Sequence, residues 1–108
     1  MILVVDDLRS PTNNSNVICV RNYEQAIVVL SQVEALDELW LDHDLGEGKT
    51  GYDIALWLEA RAYAGNLLPI ADITIHSQNP IGSQRIFDAL SPHYQVRKAP
   101  ASSYELAI

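Results

Sequence analysis

Carboxylate side chains follow two of the most apolar runs of the chain. Asp6 and Asp7 come directly after Ile2–Val5, and Asp42 comes directly after Leu39–Leu41. If both runs are strands of a parallel sheet, these acids lie in the crevice outside the strand carboxyl ends, where open α/β sheets bind ligands. Carboxylate oxygens are the ligands that hard divalent cations such as Mg²⁺ or Mn²⁺ prefer. Aspartate is also common in turns and at helix N-caps, so it is the repetition of the cluster that predicts a metal site.

The composition is typical of one folded domain. The chain has 108 residues, 48% hydrophobic and 19% charged, and residues 1–108 are expected to form a single domain. The net charge of −7 argues against a nucleic-acid duplex or an RNA backbone as the main partner, because Lys and Arg bind phosphate backbones. Cys19 is the single cysteine, and no long apolar run or basic leader is seen. We therefore expect a cytoplasmic protein with no membrane or duplex partner.

Short apolar runs alternate with amphipathic segments along the chain. The predicted strands are Ile2–Val5, Val17–Val20, Glu38–Leu41, Ile73–His76 and Tyr94–Arg97. The predicted helices run from an Asn22 cap to about Val33, from Thr50 or Gly51 to a stop at Gly65 and Asn66, and from Asn79 and Pro80 to about Leu90. This alternation predicts an α/β fold, a doubly wound parallel sheet.

The strand ends resemble the receiver domain of two-component signalling. ILVVDD resembles the receiver's first strand with its acidic pair, and LWLDHDLG resembles the strand of the phosphorylatable aspartate, which Asp42 matches. Ser77 matches the Ser/Thr switch position, and Lys98 matches the receiver lysine, although RKAP replaces the usual Lys-Pro. The resemblance covers most of the chain and implies a receiver-like (flavodoxin-like) five-stranded parallel sheet of order 2-1-3-4-5.

Two departures from the ordinary receiver pattern point to a derived branch. The segment Leu8–Asn16 contains Pro11 and is too short for a helical crossover, so the first helix is expected to be missing. His43, His76 and Asn79 are additional polar residues. The set DDLRSP, LDHDLG, TGYD and HSQNP is more similar to the cyclic-phosphate processing receiver domain. That resemblance implies action on a cyclic phosphate instead of phosphoryl relay.

The histidines suit such chemistry on physical grounds. Opening a cyclic phosphodiester needs an activated water, a proton for the leaving hydroxyl and neutralisation of phosphoryl charge. Histidine exchanges protons near neutral pH. His43 and His76 follow strands that are neighbours in a receiver, so the two imidazoles are expected to flank one phosphate. The predicted catalytic residues are His43, His76 and Asp42, the metal ligands Asp6, Asp7 and Asp42, and the phosphate-binding residues Arg9, Ser77 and Lys98.

The predicted function is that of a metal-assisted cyclic phosphodiesterase. Its substrate would be a cyclic phosphate on a nucleotide-derived small molecule or an RNA end. The alternatives are a receiver whose Asp42 accepts a phosphoryl group from a kinase, and a degenerate receiver used as an interaction module. Structural roles also compete at single positions, because Asp44 and Asn79 could be caps and His43 and His76 hydrogen-bonded structural residues. A non-catalytic role is expected for His93, near a helix end.

One face of the predicted sheet has too little to cover it. The segment Leu8–Asn16 replaces the first helix, and only eight residues follow Pro100, so the last helix is expected to be short or missing. The strands nevertheless point apolar side chains to both faces, including Trp40. An apolar patch of that kind marks an interaction site. We expect a homodimer through this face, with Tyr104, Leu106 and Ile108 contributing; the competing expectation is that the tail covers its own sheet.

Overall fold

The strands and helices of the protein come from a computed structural model that describes residues 1–7 and 16–99. The strands are β1 (Ile2–Val5), β2 (Val17–Val20), β3 (Leu36–Leu41), β4 (Ile70–Ile75) and β5 (Val96–Lys98). The helices among these residues are α1 (Tyr23–Gln32), α2 (Gly51–Tyr63) and α3 (Pro80–Leu90). The predictions made for segments 8–15 and 100–108, including those for Arg9, Tyr104, Leu106 and Ile108, lie outside the described residues.

All five strands are parallel and form one sheet in the order β2-β1-β3-β4-β5, which confirms the receiver-like α/β fold. β1 is buried at every position, as expected for a strand that lies inside a parallel sheet and is apolar on both faces. The main core lies between the sheet and the three helices. It includes Leu3, Val5, Leu39, Leu41, Ile73 and Ile75 from the sheet and Leu30, Ile54, Leu58, Ile86 and Leu90 from the helices.

Each helix begins at a side chain that accepts hydrogen bonds from its first turn. Asn22 accepts from the N–H of Gln25, Thr50 from that of Tyr52, and Asn79 from that of Gly82. These caps satisfy N–H groups that have no partner within the helix, which explains why the predicted helix starts are confirmed. Among the described helices, none has both the length and the apolar composition needed to cross a membrane.

Three predicted strands have boundaries that are wrong by one to three residues. β3 begins at Leu36 instead of Glu38, because the N–H of Asp37 donates to the carbonyl of Met1 and extends the ladder through a charged residue. β4 likewise begins at Ile70 and continues through Asp72. β5 begins after Tyr94, because that residue still belongs to the turn that follows α3.

The second face of the sheet carries a smaller cluster formed by Ile2, Val4, Trp40 and Val17. Val4 is 0% and Trp40 2% exposed in the single chain. The indole N–H of Trp40 donates to Glu38, and the Arg97 guanidinium lies over the indole ring, 5.5 Å from its centroid. This face therefore offers less apolar surface to a second copy than the sequence predicts.

Tyr94 fixes the loop before β4 and gives a testable stability effect. Its hydroxyl donates to the carbonyl of Leu68 at 2.6 Å, and burial raises the pKa of Tyr94 from 10.0 to about 12. The neutral phenol is favoured in the folded state, so its stabilisation is complete below pH 10.0 and is lost as the pH rises to about 12. Tyr94→Phe should lower the free energy of unfolding by about 1 kcal/mol in urea titrations at neutral pH. The control is Tyr63→Phe, since Tyr63 is exposed; an equal loss there would contradict the assignment.

Candidate functional site

Backbone hydrogen bonds place one residue beyond each strand side by side at the carboxyl edge of the sheet. The N–H of Asp6 donates to the last carbonyl of β2, that of Asp42 to the last of β1, and that of His76 to the last of β3, at 3.0–3.1 Å. Because the strands are parallel, all three residues lie at the same edge. The ladder thus brings Asp6, Asp42 and His76 into one row.

Three carboxylates converge at this edge. One oxygen each of Asp6, Asp7 and Asp42 lies within 4.8 Å of the other two. Asp6 is 1% and Asp42 6% exposed, while Asp7 is half-buried. Carboxylates this close and this buried repel each other unless positive charge or protons balance them. Their oxygen donors and spacing fit a hard divalent cation.

His76 lies on the inner side of the acidic cluster. Its Nδ1 is 3.7 Å from Oδ2 of Asp6, and its side chain is 1% exposed. The imidazole is tilted by 50° against the indole of Trp40, with 5.6 Å between the ring centroids. His76 therefore contacts the face of the sheet that carries the smaller cluster, and its burial keeps it from direct contact with solvent.

His43 lies on the opposite face, against the start of α3. Its Nδ1 is 2.9 Å from Oδ1 of Asp44 and 3.4 Å from Nδ2 of Asn79. A Cβ on Gly82 would lie 2.4 Å from Cγ of the ring, so only glycine allows the imidazole to rest on the helix. The side chain is 14% exposed. The two histidines thus contact different faces of the sheet, which favours unequal roles over a symmetrical pair around one phosphate.

Gly51 makes a second close approach, between α2 and the end of β3. Its N–H donates to the carbonyl of His43 at 2.9 Å, and a Cβ at this position would lie 2.1 Å from the carbonyl oxygen of Asp42. The N–H of Asp44 donates to Oδ1 of Asp42 at 3.2 Å. The loop that carries Asp42, His43 and Asp44 is therefore held by the first turns of two helices and by its own carboxylate.

The predicted phosphate-binding residues lie in different parts of the structure and contact different groups. The hydroxyl oxygen of Ser77 accepts from the N–H of Asn79 at 3.1 Å, which leaves its proton available to a ligand. The ammonium group of Lys98 donates to Gln84 and lies 5.4 Å from the ring centroid of Phe87, so its contacts are on α3. Arg9 lies outside the described residues.

Arg21 is a candidate that the sequence analysis missed. One guanidinium nitrogen donates to the backbone carbonyl of Asp6 at 3.1 Å, which places the positive charge beside the acidic row. Arg21 directly follows β2, as Asp6 follows β1 and Asp42 follows β3. The rule that selected the acids at the strand ends would have selected this arginine as well.

Comparison with known proteins identifies the family. The model of the family described as "Cyclic-phosphate processing Receiver domain" matches residues 1–92. The chain belongs to this family. Neither the curated proteins nor the solved structures contain a match to it. The matched residues include the acidic cluster, both histidines and α3, whereas β5 with Lys98 lies beyond them.

Proposed function

We propose that this chain is a phosphoesterase that opens a cyclic phosphate on a nucleotide-derived small molecule or an RNA end. The observation that supports this most is the joint position of three carboxylates, with oxygens within 4.8 Å of one another, at the carboxyl ends of β1 and β3, since the segment after β3 also contains His43. Family membership supports the coarser assignment to cyclic-phosphate processing. We propose the cytoplasm as its compartment, consistent with the free, exposed Cys19.

In the proposed reaction, a water oxygen attacks the phosphorus atom while His43 accepts the water proton. The bond from phosphorus to one ring oxygen then breaks, and the same imidazole returns a proton to that leaving oxygen. The product is a phosphomonoester with one free hydroxyl. Among the two histidines, His43 is assigned this role because its side chain is 14% exposed, against 1% for His76.

The acidic cluster supplies the electrostatic part of the proposal. Mg²⁺ or Mn²⁺ held by Asp6, Asp7 and Asp42 would neutralise developing charge on the phosphoryl oxygens. His76, with Nδ1 3.7 Å from Asp6, is assigned a supporting role in which it fixes and partly balances the Asp6 carboxylate. Arg21, Ser77, Lys98 and Arg9 remain proposals for binding the phosphate.

One experiment separates this function from the signalling alternative. The protein is incubated with Mg²⁺ and either 2′,3′-cyclic nucleotides, 3′,5′-cyclic nucleotides or RNA ending in a 2′,3′-cyclic phosphate, and products are followed by ³¹P NMR. A phosphomonoester that forms with the native chain but not with Asp42→Ala supports the proposal. In parallel, acetyl phosphate is added and the intact mass is measured. A phosphoryl adduct that Asp42→Asn lacks, without cyclic-phosphate turnover, would support the receiver alternative.

Metal binding can be tested without turnover. Millimolar Mg²⁺ or Mn²⁺ should raise the melting temperature, because a ligand that binds the folded state alone stabilises it. Asp42→Ala should abolish this rise. Asp72→Ala is the matched control, since it removes the same charge from an exposed position of β4 and should keep the rise. An identical melting curve for the native chain with and without the metal would count heavily against the site.

The homodimer remains a prediction, and the burial of Val4 and Trp40 within one chain weakens its main physical reason. Light scattering at micromolar concentration tests it. A dimer gives about twice the chain mass of 12.0 kDa, whereas a mass of 12.0 kDa would rule the dimer out at that concentration.

A further inference from the structure

We propose that Asp44 and Asn79, which both contact Nδ1 of His43, favour opposite tautomers of its imidazole, and that Asp44 determines which tautomer the folded protein adopts. The neutral imidazole then carries its proton on Nδ1 and presents the Nε2 lone pair. The inference about the tautomer rests on contacts alone. Its catalytic consequence, that His43 starts the reaction as a base and that Asp44 is a positioning residue, rests on the proposed function.

Asp44 favours the tautomer that is protonated on Nδ1. Its Oδ1 is 2.9 Å from His43 Nδ1, and an ionised carboxylate can only accept hydrogen bonds. The side chain of Asp44 is 62% exposed, so water reaches the rest of its carboxylate. The hydrogen bond from the N–H of Asp44 to Oδ1 of Asp42 holds the backbone of Asp44 in place. The contact can therefore form only when Nδ1 carries a proton.

Asn79 favours the other tautomer. Its amide oxygen accepts from the N–H of Gly82 at 2.9 Å as the cap of α3, so its amide nitrogen is the group turned toward His43. That nitrogen is 3.4 Å from Nδ1 and is a donor, which needs a lone pair on Nδ1 and a proton on Nε2. The orientation of the Asn79 amide is thus fixed by the helix and not by the histidine.

Distance and charge decide between the two neighbours. The distance from Nδ1 to the Asp44 carboxylate is 2.9 Å, which is 0.5 Å shorter than the 3.4 Å from Nδ1 to the Asn79 amide nitrogen. Hydrogen bonds to an ionised acceptor are also roughly twice as strong as neutral ones. Because Gly82 lets the ring rest on α3, the imidazole cannot turn away from either neighbour without losing that contact. Asp44 therefore keeps the proton on Nδ1. If Asp44 were removed, the Asn79 donor would favour the tautomer that carries the proton on Nε2.

The consequence for the proposed reaction is a defined starting state. Nε2 takes the proton of the attacking water as the new bond to phosphorus forms, and the resulting imidazolium is stabilised by Asp44. Nε2 then gives that proton to the leaving oxygen as its bond to phosphorus breaks. The other tautomer would carry a proton on Nε2 and could not accept one from water at the start.

The tautomer can be read by ¹⁵N–¹H NMR of the histidine ring nitrogens, at a pH where the spectra show His43 to be neutral. The native chain should show His43 protonated on Nδ1. Asp44→Ala should shift it to Nε2, because only the Asn79 donor then remains at Nδ1. Asp44→Asn should keep the Nδ1 proton, since its amide oxygen can still accept. His93, which contacts the ring of Tyr63, should be unchanged in every variant and serves as the internal control.

Two results would overturn the proposal: a native chain protonated on Nε2, or a native tautomer that persists in Asp44→Ala. Turnover then tests the consequence separately. Asp44→Ala should lower kcat by about 10- to 100-fold with little change in KM, and Asp44→Asn should recover part of it. If the NMR results are as expected but the native chain turns over no cyclic phosphate, the tautomer assignment stands and the proposed function fails.

Discussion

Replacing His43 by alanine is expected to lower the turnover of a cyclic phosphate by about 10²–10⁴-fold, the usual contribution of a positioned acid–base group. The physical reason is that His43 is the more exposed of the two imidazoles at the site, and its Nδ1 is already engaged by Asp44. The measurement is kcat by ³¹P NMR or chromatography, with circular dichroism to show that the fold persists.

His76→Ala is expected to lower turnover by about 10- to 100-fold, the usual effect of losing a residue that supports a metal ligand. Its imidazole is buried beside Asp6, so its loss should also weaken the Mg²⁺-dependent rise of the melting temperature, whereas His43→Ala should keep that rise. His93→Ala is the control for both, because His93 lies beyond the end of α3, against Tyr63. Full activity in His43→Ala would contradict the assignment of proton transfer to His43, and full activity in His76→Ala would contradict its support of Asp6.

The row of candidate side chains was predictable because it depends on one rule of parallel sheets. Polar residues after apolar strands meet at the carboxyl edge, and the strand order follows from the receiver resemblance. Asp6, Asp7 and Asp42 were selected in this way, and the structure brings their oxygens within 4.8 Å. Arg21 obeys the same rule, since it directly follows β2 and donates to the backbone carbonyl of Asp6.

The face on which each histidine lies could not be predicted with the same method. Side chains alternate between faces along a strand, so a one-residue difference in where a strand ends moves a residue to the other side. His43 stands two residues beyond Leu41, and His76 stands one residue beyond Ile75. Because of this one-residue offset, His43 contacts Gly82 of α3, whereas His76 contacts Trp40 on the other face.

The family resemblance predicts where Lys98 lies along β5 but not which groups its side chain contacts. Its place in the sequence matches the receiver lysine. It is the last residue of β5, and its register partner in β4 is Ile75, which belongs to the core under the helices. Its ammonium group therefore contacts Gln84 and Phe87 of α3. A sequence motif gives the position of a residue along a strand, while the direction of a long side chain depends on the neighbours that the helices supply.

The two close-packed glycines should respond differently to the same substitution. Gly51→Ala places a Cβ 2.1 Å from the carbonyl oxygen of Asp42, and a backbone carbonyl can move only if the loop moves with it. We expect a loss of about 3 kcal/mol or more in the free energy of unfolding, at the upper end of overpacking effects, measured by urea titration. A loss below about 1 kcal/mol would contradict the close approach.

Gly82→Ala meets a side chain instead, since its Cβ would lie 2.4–2.7 Å from three atoms of the His43 ring. The ring can turn away, so we expect a smaller loss of stability, about 1–2 kcal/mol, and a fall in turnover of about 10²-fold from the displaced imidazole. In the His43→Ala background the obstacle is gone, and Gly82→Ala should then be neutral or stabilising, because alanine is favoured over glycine within helices by about 1 kcal/mol. Gly51→Ala should keep its full cost in that background. The double-mutant cycle isolates the contact: equal effects of Gly82→Ala with and without His43 would show that the imidazole does not rest on this helix.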